Sequence, residues 1–436
     1  MARLGALAMA IFPEPLRIRD FRLYWIARFA AVLATMGMVV ILAYQVYDVA
    51  RADYGMSIRE AALQLGLLGL FQFVPLALLT PVAGWVADRF ERRTVACIAN
   101  AIDMTVALAL GWLTATDSLT LPILFSFAAL HGVARVFVGP AMSAIAPNIV
   151  PPEQLPQAIA MSSIAWQTAS VAGPALGGFL YAADPALPYW FAAALMLVAM
   201  VALTPIRRVV PPRMQGGSHP LRQMVDGVTY VRGHRFLLGA ITLDLFAVLL
   251  GGATAMLPVY ARDILQVGTE GLGLLRAAPA VGAAVVAVWF AFSPLRRNVG
   301  LKMIAAVAAF GLMTIVFGLS RSMGLSLAAL ALLGGFDMLS VYVRSSLVQL
   351  HTPDQMRGRV SAVSGLAISA SNELGELQSG VAAALLGPTG AVVFGGAAAM
   401  GIAGLWSYLF PELTRARTFD PPETALADAV MEEKPA

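Results

Sequence analysis

Two glutamates, Glu373 and Glu376, stand three residues apart in a segment that is otherwise long and apolar. Residues three apart on a helix share one face, so the two carboxylates are expected to be neighbours. In a low-dielectric environment, two neighbouring carboxylates favour protonation of one another, and such a pair can bind and release a proton near neutral pH. The spacing therefore predicts a proton-coupling or cation-binding site.

Three further charged residues, Arg135, Asp244 and Asp337, also interrupt apolar segments. A charge in lipid is costly unless it faces a cavity or a partner, so these residues are predicted to share a polar cavity with the glutamates. Two alternatives to proton coupling stay open. Glu373 or Glu376 forms a static ion pair with an arginine such as Arg135, or the pair binds a cationic substrate directly.

Other residues of the apolar segments carry weaker expectations. Arg28, Arg276 and Arg344 are placed near span ends, where long basic side chains can reach the membrane interface. Asp103 lies within three turns of a span end, where its role can be structural. Four large side chains are expected to line an adaptable substrate cavity: Trp166, Phe246, Met256 and Tyr342.

The composition indicates whether these charged residues lie in a soluble domain or in a membrane protein. The chain has 436 residues, of which 59% are hydrophobic and 12% charged, whereas a soluble domain carries about 25% charged residues. Runs of roughly 18 or more apolar residues recur, each long enough to cross a ~30 Å hydrocarbon core as a helix. The predicted fold class is therefore an all-α polytopic membrane protein.

Twelve spans are predicted, six in each half. The predicted spans are 23–47, 62–87, 95–115, 121–144, 158–181, 188–204, 236–260, 273–292, 301–319, 325–348, 360–386 and 392–410. The predicted domains are an N-terminal six-helix bundle at 1–206, a linker at 207–235, a C-terminal six-helix bundle at 236–411 and a disordered cytoplasmic tail at 412–436.

An even number of spans places both termini on one membrane side, and the charges indicate which side. The segments on the terminal side hold 21 of the 29 Lys and Arg residues, whereas the opposite loops hold only Arg51, Arg59, Arg262 and Arg321. This bias predicts that both termini are cytoplasmic.

Within the linker, apolar residues recur at helical spacing: Leu221, Met224, Val225, Val228 and Val231. The pattern predicts an amphipathic helix that either lies on the inner membrane face or packs on the ends of the spans.

The two halves resemble each other. PEQL at 152–155 matches PDQM at 353–356, and with one extra residue Gly173 matches Gly375 and Gly178 matches Gly380. Pro174 then corresponds to Glu376. Arg135 occupies the position equivalent to Asp337, which predicts either a charge pair or two cavity-facing sites near the pseudo-twofold axis. Two six-span halves joined by a basic linker are the layout of transporters whose substrate site lies between the halves near the membrane midplane.

Several function classes are disfavoured. Cys97 is the only cysteine, and no His or Cys spacing suggests a zinc or redox site. Neither a nucleophile constellation nor a phosphate-binding loop is apparent, which disfavours an enzyme or an ATP-driven pump. The sequence therefore predicts no cofactor and no metal, and the basic residues are interpreted as topology signals rather than as a nucleic-acid surface.

Three motifs carry a resemblance to a known family. GWVADRFERR, at 84–93, resembles the G-x-x-x-D-R-x-G-R-R loop signature of the major facilitator superfamily. Arg135 with Gly139 resembles that family's span-four R-x-x-x-G pattern, and GPALGG, at 173–178, resembles the span-five signature of its exporters. The enterobactin-exporter-like branch is the most similar. Glu91 replaces the glycine of the loop signature, and the second-half copy FSPLRRNVG lacks an acidic partner.

The resemblance implies roles for two residue groups. Asp88 is expected to lie against the start of span eleven. The charges near it would form ion pairs in only one of the two alternating states. The alternative is that these charges serve only as topology signals. This predicted gate comprises Gly84, Asp88, Arg89, Arg92 and Arg93, with Gly84 allowing close helix approach. The predicted export-signature packing comprises Gly173, Pro174, Gly177 and Gly178, for which tight packing without directional meaning is the alternative.

The resemblance also implies a function, a location and a set of partners. The expected protein is a monomeric, proton-coupled exporter of amphipathic small molecules, such as drugs or siderophores, in a bacterial inner membrane. Its expected partners are the small-molecule substrate, protons and the bilayer, without nucleic acid. A lipid or lysophospholipid flippase of the same fold, and a non-transporting membrane sensor, are the alternatives.

Overall fold

The computed structural model describes residues 14–208, 220–293, 295 and 297–419. The first half comprises α1 (Arg19–Ala52), α2 (Ile58–Arg89), α3 (Arg92–Ala115), α4 (Leu121–Ile149), α5 (Leu155–Ala183) and α6 (Leu187–Leu203). The second half comprises α7 (Arg235–Leu250), α8 (Gly268–Phe292), α9 (Val299–Leu319), α10 (Met323–Leu350), α11 (Asp354–Leu386) and α12 (Pro388–Leu409). Eleven of the twelve predicted spans coincide with one of these helices, and the seventh begins with α7, which confirms the predicted fold class.

Length and hydropathy distinguish three of these helices from the rest. Within the described ranges, nine helices are long and apolar enough to cross a membrane, the α7 segment being counted with its continuation to Ile264. The helix α6 is apolar but has only 17 residues. The helices α5 and α11 have 29 and 33 residues and fall outside that group. These two helices carry the Gly-rich and Glu-containing segments that the sequence analysis identified.

Capping chemistry extends some helices beyond the predicted spans. Ser57 accepts from the Glu60 backbone N–H and the Glu60 carboxylate accepts from the Ser57 backbone N–H, so α2 begins four residues before the predicted span. Such a reciprocal box satisfies two of the amide donors that a helix start leaves free.

The predicted seventh span is interrupted rather than continuous. The helix α7 ends at Leu250, and a 3-10 turn (Ala253–Met256), a short helical turn (Leu257–Val259) and a π-turn (Tyr260–Ile264) complete the crossing. At the break, a Cβ on Gly252 would lie 2.8 Å from the Ser379 Oγ and 3.1 Å from the Gly375 carbonyl oxygen. Glycine is therefore needed here because α11 passes directly against the backbone.

The two six-helix bundles meet mainly where α2 crosses α11 and where α5 crosses α8. Because α5 and α11 occupy equivalent places in the repeat, the two crossings are related by the pseudo-twofold symmetry of the halves. Hereafter, the terminal side denotes the side that carries the linker and the chain ends, and the far side denotes the opposite one.

On the far side, both crossings are closed by glycines. A Cβ on Gly380 would lie 2.5 Å from the Gly66 Cα, and a Cβ on Gly273 would lie 3.0 Å from the Pro174 carbonyl oxygen. A Cβ on Gly178 would overlap the Thr269 carbonyl oxygen. The halves therefore touch backbone to backbone, an approach that small residues permit between membrane helices.

On the terminal side, the halves are separated. Cβ atoms on Gly84, Gly139, Gly358 and Gly365 would meet nothing within 4 Å. A cavity of about 240 Å³ opens there between α2, α4 and α11. In this conformation no second helix lies close to Gly84, so the predicted close helix approach at Gly84 stays a prediction.

The linker contains a helix at Pro220–Gly233, which packs on the terminal-side end of α11. Val231 is buried, a Cβ on Gly227 would lie 2.9 Å from the Arg359 carbonyl oxygen, and Asp226 pairs with Arg359 at 3.2 Å. Val225 and Val228 point outward. Of the two predicted arrangements, these contacts agree with the one in which the linker helix packs on the ends of the spans.

Parts of two predictions lie outside the described residues. The side chain of Leu221, predicted for the amphipathic helix, is one such part, and the predicted tail from residue 420 onward is the other. The start of the tail forms a short helix at Pro411–Arg415, whose Leu413 is buried, so the expectation of disorder is wrong there.

Candidate functional site

A cavity of about 460 Å³ lies between the two halves, beneath the closed far side. It is lined by residues from α1, α2 and α4 of the first half and from α7 to α11 of the second, including the break after α7. The polar residues that line it are Gln72, Arg135, Thr254, Arg276, Asp337, Ser369, Asn372, Glu373 and Glu376. Four of the five predicted coupling residues therefore line one space.

Arg135 and Glu373 join the halves across this cavity. The Arg135 Nη1 lies 3.3 Å from the Glu373 Oε1 and donates to the Gln72 Oε1 at 3.1 Å. A Cβ on Gly132 would lie 3.0 Å from the Gln72 carbonyl oxygen, so a glycine in α4 lets α2 bring this amide within reach. The static ion pair that the sequence left as an alternative for Glu373 is therefore present in this conformation.

Glu376 occupies the crossing of α2 and α11. A Cβ on Gly69 would lie 2.8 Å from the Glu376 Cβ and 3.1 Å from its Oε2, so this glycine makes room for the carboxylate. Glu376 and Glu373 both line the cavity. The predicted neighbourhood of the two carboxylates is present, although only Glu373 contacts Arg135.

Arg276 was expected at a span end, and the structure corrects this interpretation. Because α8 begins at Gly268, Arg276 lies two turns inside the helix and lines the cavity with Glu376. Its Nη1 donates at 3.1 Å to the Thr254 carbonyl oxygen, which also accepts from the Leu257 backbone N–H in the 3-10 turn that follows the end of α7. Its position inside an apolar run was the signal that could have identified it.

Asp244 and Arg344 form a buried ion pair behind the cavity wall. The Arg344 Nη1 lies 2.7 Å from the Asp244 Oδ2, and both side chains are less than a tenth exposed. The interpretation of Arg344 as a span-end residue is therefore wrong, since it is needed to compensate Asp244. Asp337 lies between this pair and the substrate space, because it lines both the central cavity and a small adjoining cavity that contains Asp244.

The repeat-related residues Arg135 and Asp337 both face the cavity, without forming the direct pair that was one of two expectations. Asp103 belongs to a separate site: its Oδ1 lies 2.5 Å from the His131 Nδ1, with both side chains buried between α3 and α4. This supports a structural role for Asp103. Nothing in the sequence pattern indicated His131 as its partner.

Arg28 is not at a helix end either. It lies nine residues into α1, where its Nη1 donates to the Tyr24 hydroxyl at 3.1 Å. Arg28 therefore has a hydrogen-bond partner within its own helix instead of reaching for the interface.

The expected aromatic cavity lining is wrong. Met256 is fully buried in the core, Phe246 packs on the Trp406 ring, and Tyr342 packs between Phe290 and Phe419. Trp166 is 45% exposed and is not among the residues that line the central cavity. Hydrophobicity alone did not indicate which helix face each side chain occupies. The cavity is instead lined by charged and amide groups together with other apolar side chains, among them Met36 and Phe310.

The arginines of the predicted gate bind partners within their own half. Arg92 donates to the Ala144 carbonyl oxygen at 2.9 Å, and Arg93 pairs with Glu91 at 2.9 Å. Arg93 also donates to carbonyl oxygens at the end of α6, and Arg89 lies over the Trp85 ring. The side chain of Asp88 lies outside the described residues. The contacts described for these arginines thus do not reach the second half in this conformation.

Charged residues on the far side do connect the halves. From the sequence, Arg51 and Arg262 were interpreted only as loop charges, and their acidic partners were not identified. Asp48 pairs with Arg262 at 2.7 Å, and Arg51 pairs with Asp263 at 3.4 Å. The Tyr47 hydroxyl donates to the Asp263 Oδ2 at 2.5 Å. These five residues, from the end of α1 and the π-turn after α7, are called the far-side lock below.

The predicted export-signature residues pack on both halves. A Cβ on Gly173 would lie 2.8 Å from the Leu33 carbonyl oxygen, and one on Gly177 would lie 3.3 Å from the Gly37 carbonyl oxygen. Gly178 and Pro174 contact α8 of the second half, as described above. The segment is therefore a tight contact that belongs to the closed far side.

Comparison with known proteins is consistent with this arrangement. The family model described as Major Facilitator Superfamily matches residues 24–376. Enterobactin exporter EntS of Shigella boydii serotype 18 and that of Escherichia coli O1:K1 are each 28% identical to this chain over 424 residues. The alignments cover 94% of this chain and 96% of each relative.

Solved structures with the same fold span most of the chain. A bacterial homologue of the human lysosomal transporter Spinster, in an inward-facing and unoccupied conformation, aligns with a TM-score of 0.70 at 15% identity, covering 92% of this chain and 99% of that chain. A D-xylose-proton symporter aligns with a TM-score of 0.68 at 13% identity, covering 91% and 98%. At such identities the likeness concerns the fold alone.

Proposed function

This chain belongs to the major facilitator superfamily, and from that premise we propose that it is a proton-coupled exporter of an amphipathic small molecule. Alternating access of one cavity between the two membrane sides is the proposed mechanism. The EntS relatives support a siderophore as the substrate, and a drug-like amphiphile is the second substrate class consistent with the cavity. The protein is proposed to act as a monomer, since each half already supplies one wall of the site.

The observation that carries this proposal is a polar cavity that is closed on one side and open on the other. The glycine contacts and the far-side lock close one end, and the separation around Gly84 and Gly365 opens the other. The cavity lies between two halves that repeat one another, as alternating access requires.

We assign the terminal side to the cytoplasm of a bacterial inner membrane, because the basic residues concentrate there. The conformation is then open to the cytoplasm, the state in which an exporter loads its substrate. In the opposite state, the end of α2 would approach the start of α11. There Gly84 would permit contact, and Asp88, Arg89, Arg92 and Arg93 would form the gate.

Glu376 is the residue that we assign to proton exchange. Glu373 already has Arg135 as an ionic partner, whereas Glu376 has no ion pair among the described residues. A proton on Glu376 removes a charge from the crossing of α2 and α11, the contact that must change between the two states. Asp337 and Asp244 are proposed to support this site from the second half, with Arg135 holding Glu373.

The experiment that tests this proposal uses inside-out proteoliposomes with an acidic lumen. Accumulation of enterobactin and of a fluorescent cationic dye is followed for the wild type, Glu373→Gln and Glu376→Gln. Accumulation that depends on the gradient and is lost in Glu376→Gln is expected. The control is Glu270→Gln, because Glu270 is an exposed carboxylate on the far side.

Other outcomes separate the alternatives. Equal accumulation in the wild type and Glu376→Gln would remove the coupling role. Movement of a fluorescent lysophospholipid, with no flux of either small molecule, would favour a flippase. Absence of flux for every probe would favour a sensor.

A further inference from the structure

A second, separate space lies on the outer face of the second half. It is a groove of about 840 Å³ between α8 and α10, and its lining residues are distinct from those of the central cavity. Its floor is formed where small residues let the helices touch: a Cβ on Gly335 would lie 3.1 Å from the Val286 Cγ2. Val285 and Trp289 form exposed walls, each 63% exposed.

The length of the groove matches one leaflet of a bilayer. Along α8 it extends from Val281 to Ser293, which is ~18 Å at about 1.5 Å per residue. Half of a ~30 Å hydrocarbon core is about 15 Å. Trp289 lies near the terminal-side end of α8, at the depth where indole rings prefer the membrane interface.

A positive charge marks the terminal-side end of the groove. Lys302, in the first turns of α9, is exposed and lines the groove, and Arg297 in the preceding connection is also exposed. The lining residues include no carboxylate. Counted from the start of the helix, the equivalent of Lys302 in α3 is Val95, which is buried. A basic residue at this helix position is therefore found in the second half alone. The basic residues at the start of α3, Arg92 and Arg93, instead bind partners within the first half.

We propose that this groove binds an acyl chain of an anionic phospholipid from the terminal-side leaflet, with its headgroup phosphate at Lys302. The apolar walls of the groove would contact the acyl chain, and the Lys302 ammonium group would provide a compact positive charge for the phosphate. The site does not depend on which molecule the central cavity carries.

The sparse lysines of this chain provide a direct test. Lys302 and Lys434 are its only lysines. The full chain is reconstituted in nanodiscs of phosphatidylcholine, with or without phosphatidylglycerol, and treated with an amine-reactive reagent. Mass spectrometry then gives the labelling rate at Lys302 relative to Lys434. Phosphatidylglycerol is expected to slow this relative rate by about fivefold, as one basic side chain at an anionic surface implies.

Two variants distinguish the groove from a general surface effect. Val285→Trp fills the groove at an exposed position and is expected to abolish the protection of Lys302. Leu312→Trp, at an exposed position of α9 that does not line the groove, is expected to retain it. Equal relative rates in the two lipid mixtures, or protection that persists in Val285→Trp, would overturn the proposal.

A second measurement counts the lipid itself. Native mass spectrometry of Lys302→Gln is expected to show one fewer bound phosphatidylglycerol than the wild type. Arg22→Gln is the matched control, because Arg22 is an exposed terminal-side cation in the first half. The same count in Lys302→Gln and the wild type would contradict the assignment.

Discussion

On the far side, α2 meets α11 and α5 meets α8 through glycines, and the lock joins α1 to the segment after α7. On the terminal side, the same helices diverge, and the arginines of the signature loop bind partners in their own half. Partly exposed ion pairs contribute little, whereas backbone contact requires matched surfaces along whole helices. We infer that complementary shape closes the far side and that the ion pairs there only adjust the balance between the two states.

The largest effect is expected from a substitution that disrupts the shape complementarity of the far side. In Gly178→Leu, the added side chain would overlap the Thr269 carbonyl oxygen, so far-side closure is expected to weaken roughly tenfold to hundredfold. Spin labels at exposed positions 118 and 270, in a Cys97→Ser background, report the far-side distance by electron resonance. Gly404→Leu is the control, since a Cβ there meets nothing within 4 Å. An unchanged distance distribution in Gly178→Leu would refute the primacy of shape.

The second test concerns the terminal side and uses two readouts. In Gly84→Leu, the new side chain enters open space in this conformation, so the melting temperature is expected to shift by no more than ~2 °C. Transport is expected to fall about tenfold, because the opposite state needs close approach at this position. A large loss of stability, or full transport activity, would each contradict the assigned contact.

The third test removes part of the far-side lock. Asp263→Asn weakens the pair with Arg51 and the hydrogen bond from Tyr47, so the far-side-closed population is expected to fall about threefold to tenfold. The same spin labels measure it. Asp184→Asn, at an exposed acid on the same side whose hydrogen bond from the Ala186 backbone N–H the amide oxygen can keep, should leave the population unchanged. An effect as large as that of Gly178→Leu would mean that charge, and not shape, closes this side.

The smallest effect is expected from salt. Raising the ionic strength from about 0.1 to about 1 M shortens the screening length from ~10 to ~3 Å, which weakens the partly exposed pairs of the lock. A change of about twofold in the closed population is expected in the wild type, and a smaller one in Asp263→Asn. Equal salt dependence in both proteins would show that the lock is not the origin of the effect.

Much of the fold was predictable because hydrophobic length and charge bias act locally along the chain. The two glutamates and Arg135 were also identified, since each is an isolated charge in an apolar run. Arg276 and Arg344 were misjudged because their distance from a helix end depends on where α8 and α10 begin and end. A span estimate that errs by a few residues cannot distinguish an interfacial arginine from a buried one.

Contacts between segments that are distant in the chain could not be predicted from the sequence alone. The Asp103–His131 pair and the far-side lock each depend on which helix faces are opposed, and hydropathy carries no such information. The interruption of α7 was signalled only by two adjacent glycines, whose meaning became clear once α11 lay against them.

The composition of the far-side lock has an electrical consequence. The end of α1 contributes Asp48 and Arg51, and the π-turn contributes Arg262 and Asp263, so each contribution carries no net charge. Opening the lock therefore separates two neutral groups and moves no net charge through the transmembrane voltage. The opening step is electrically silent, and a dependence of turnover on membrane potential would report the charges carried within the central cavity.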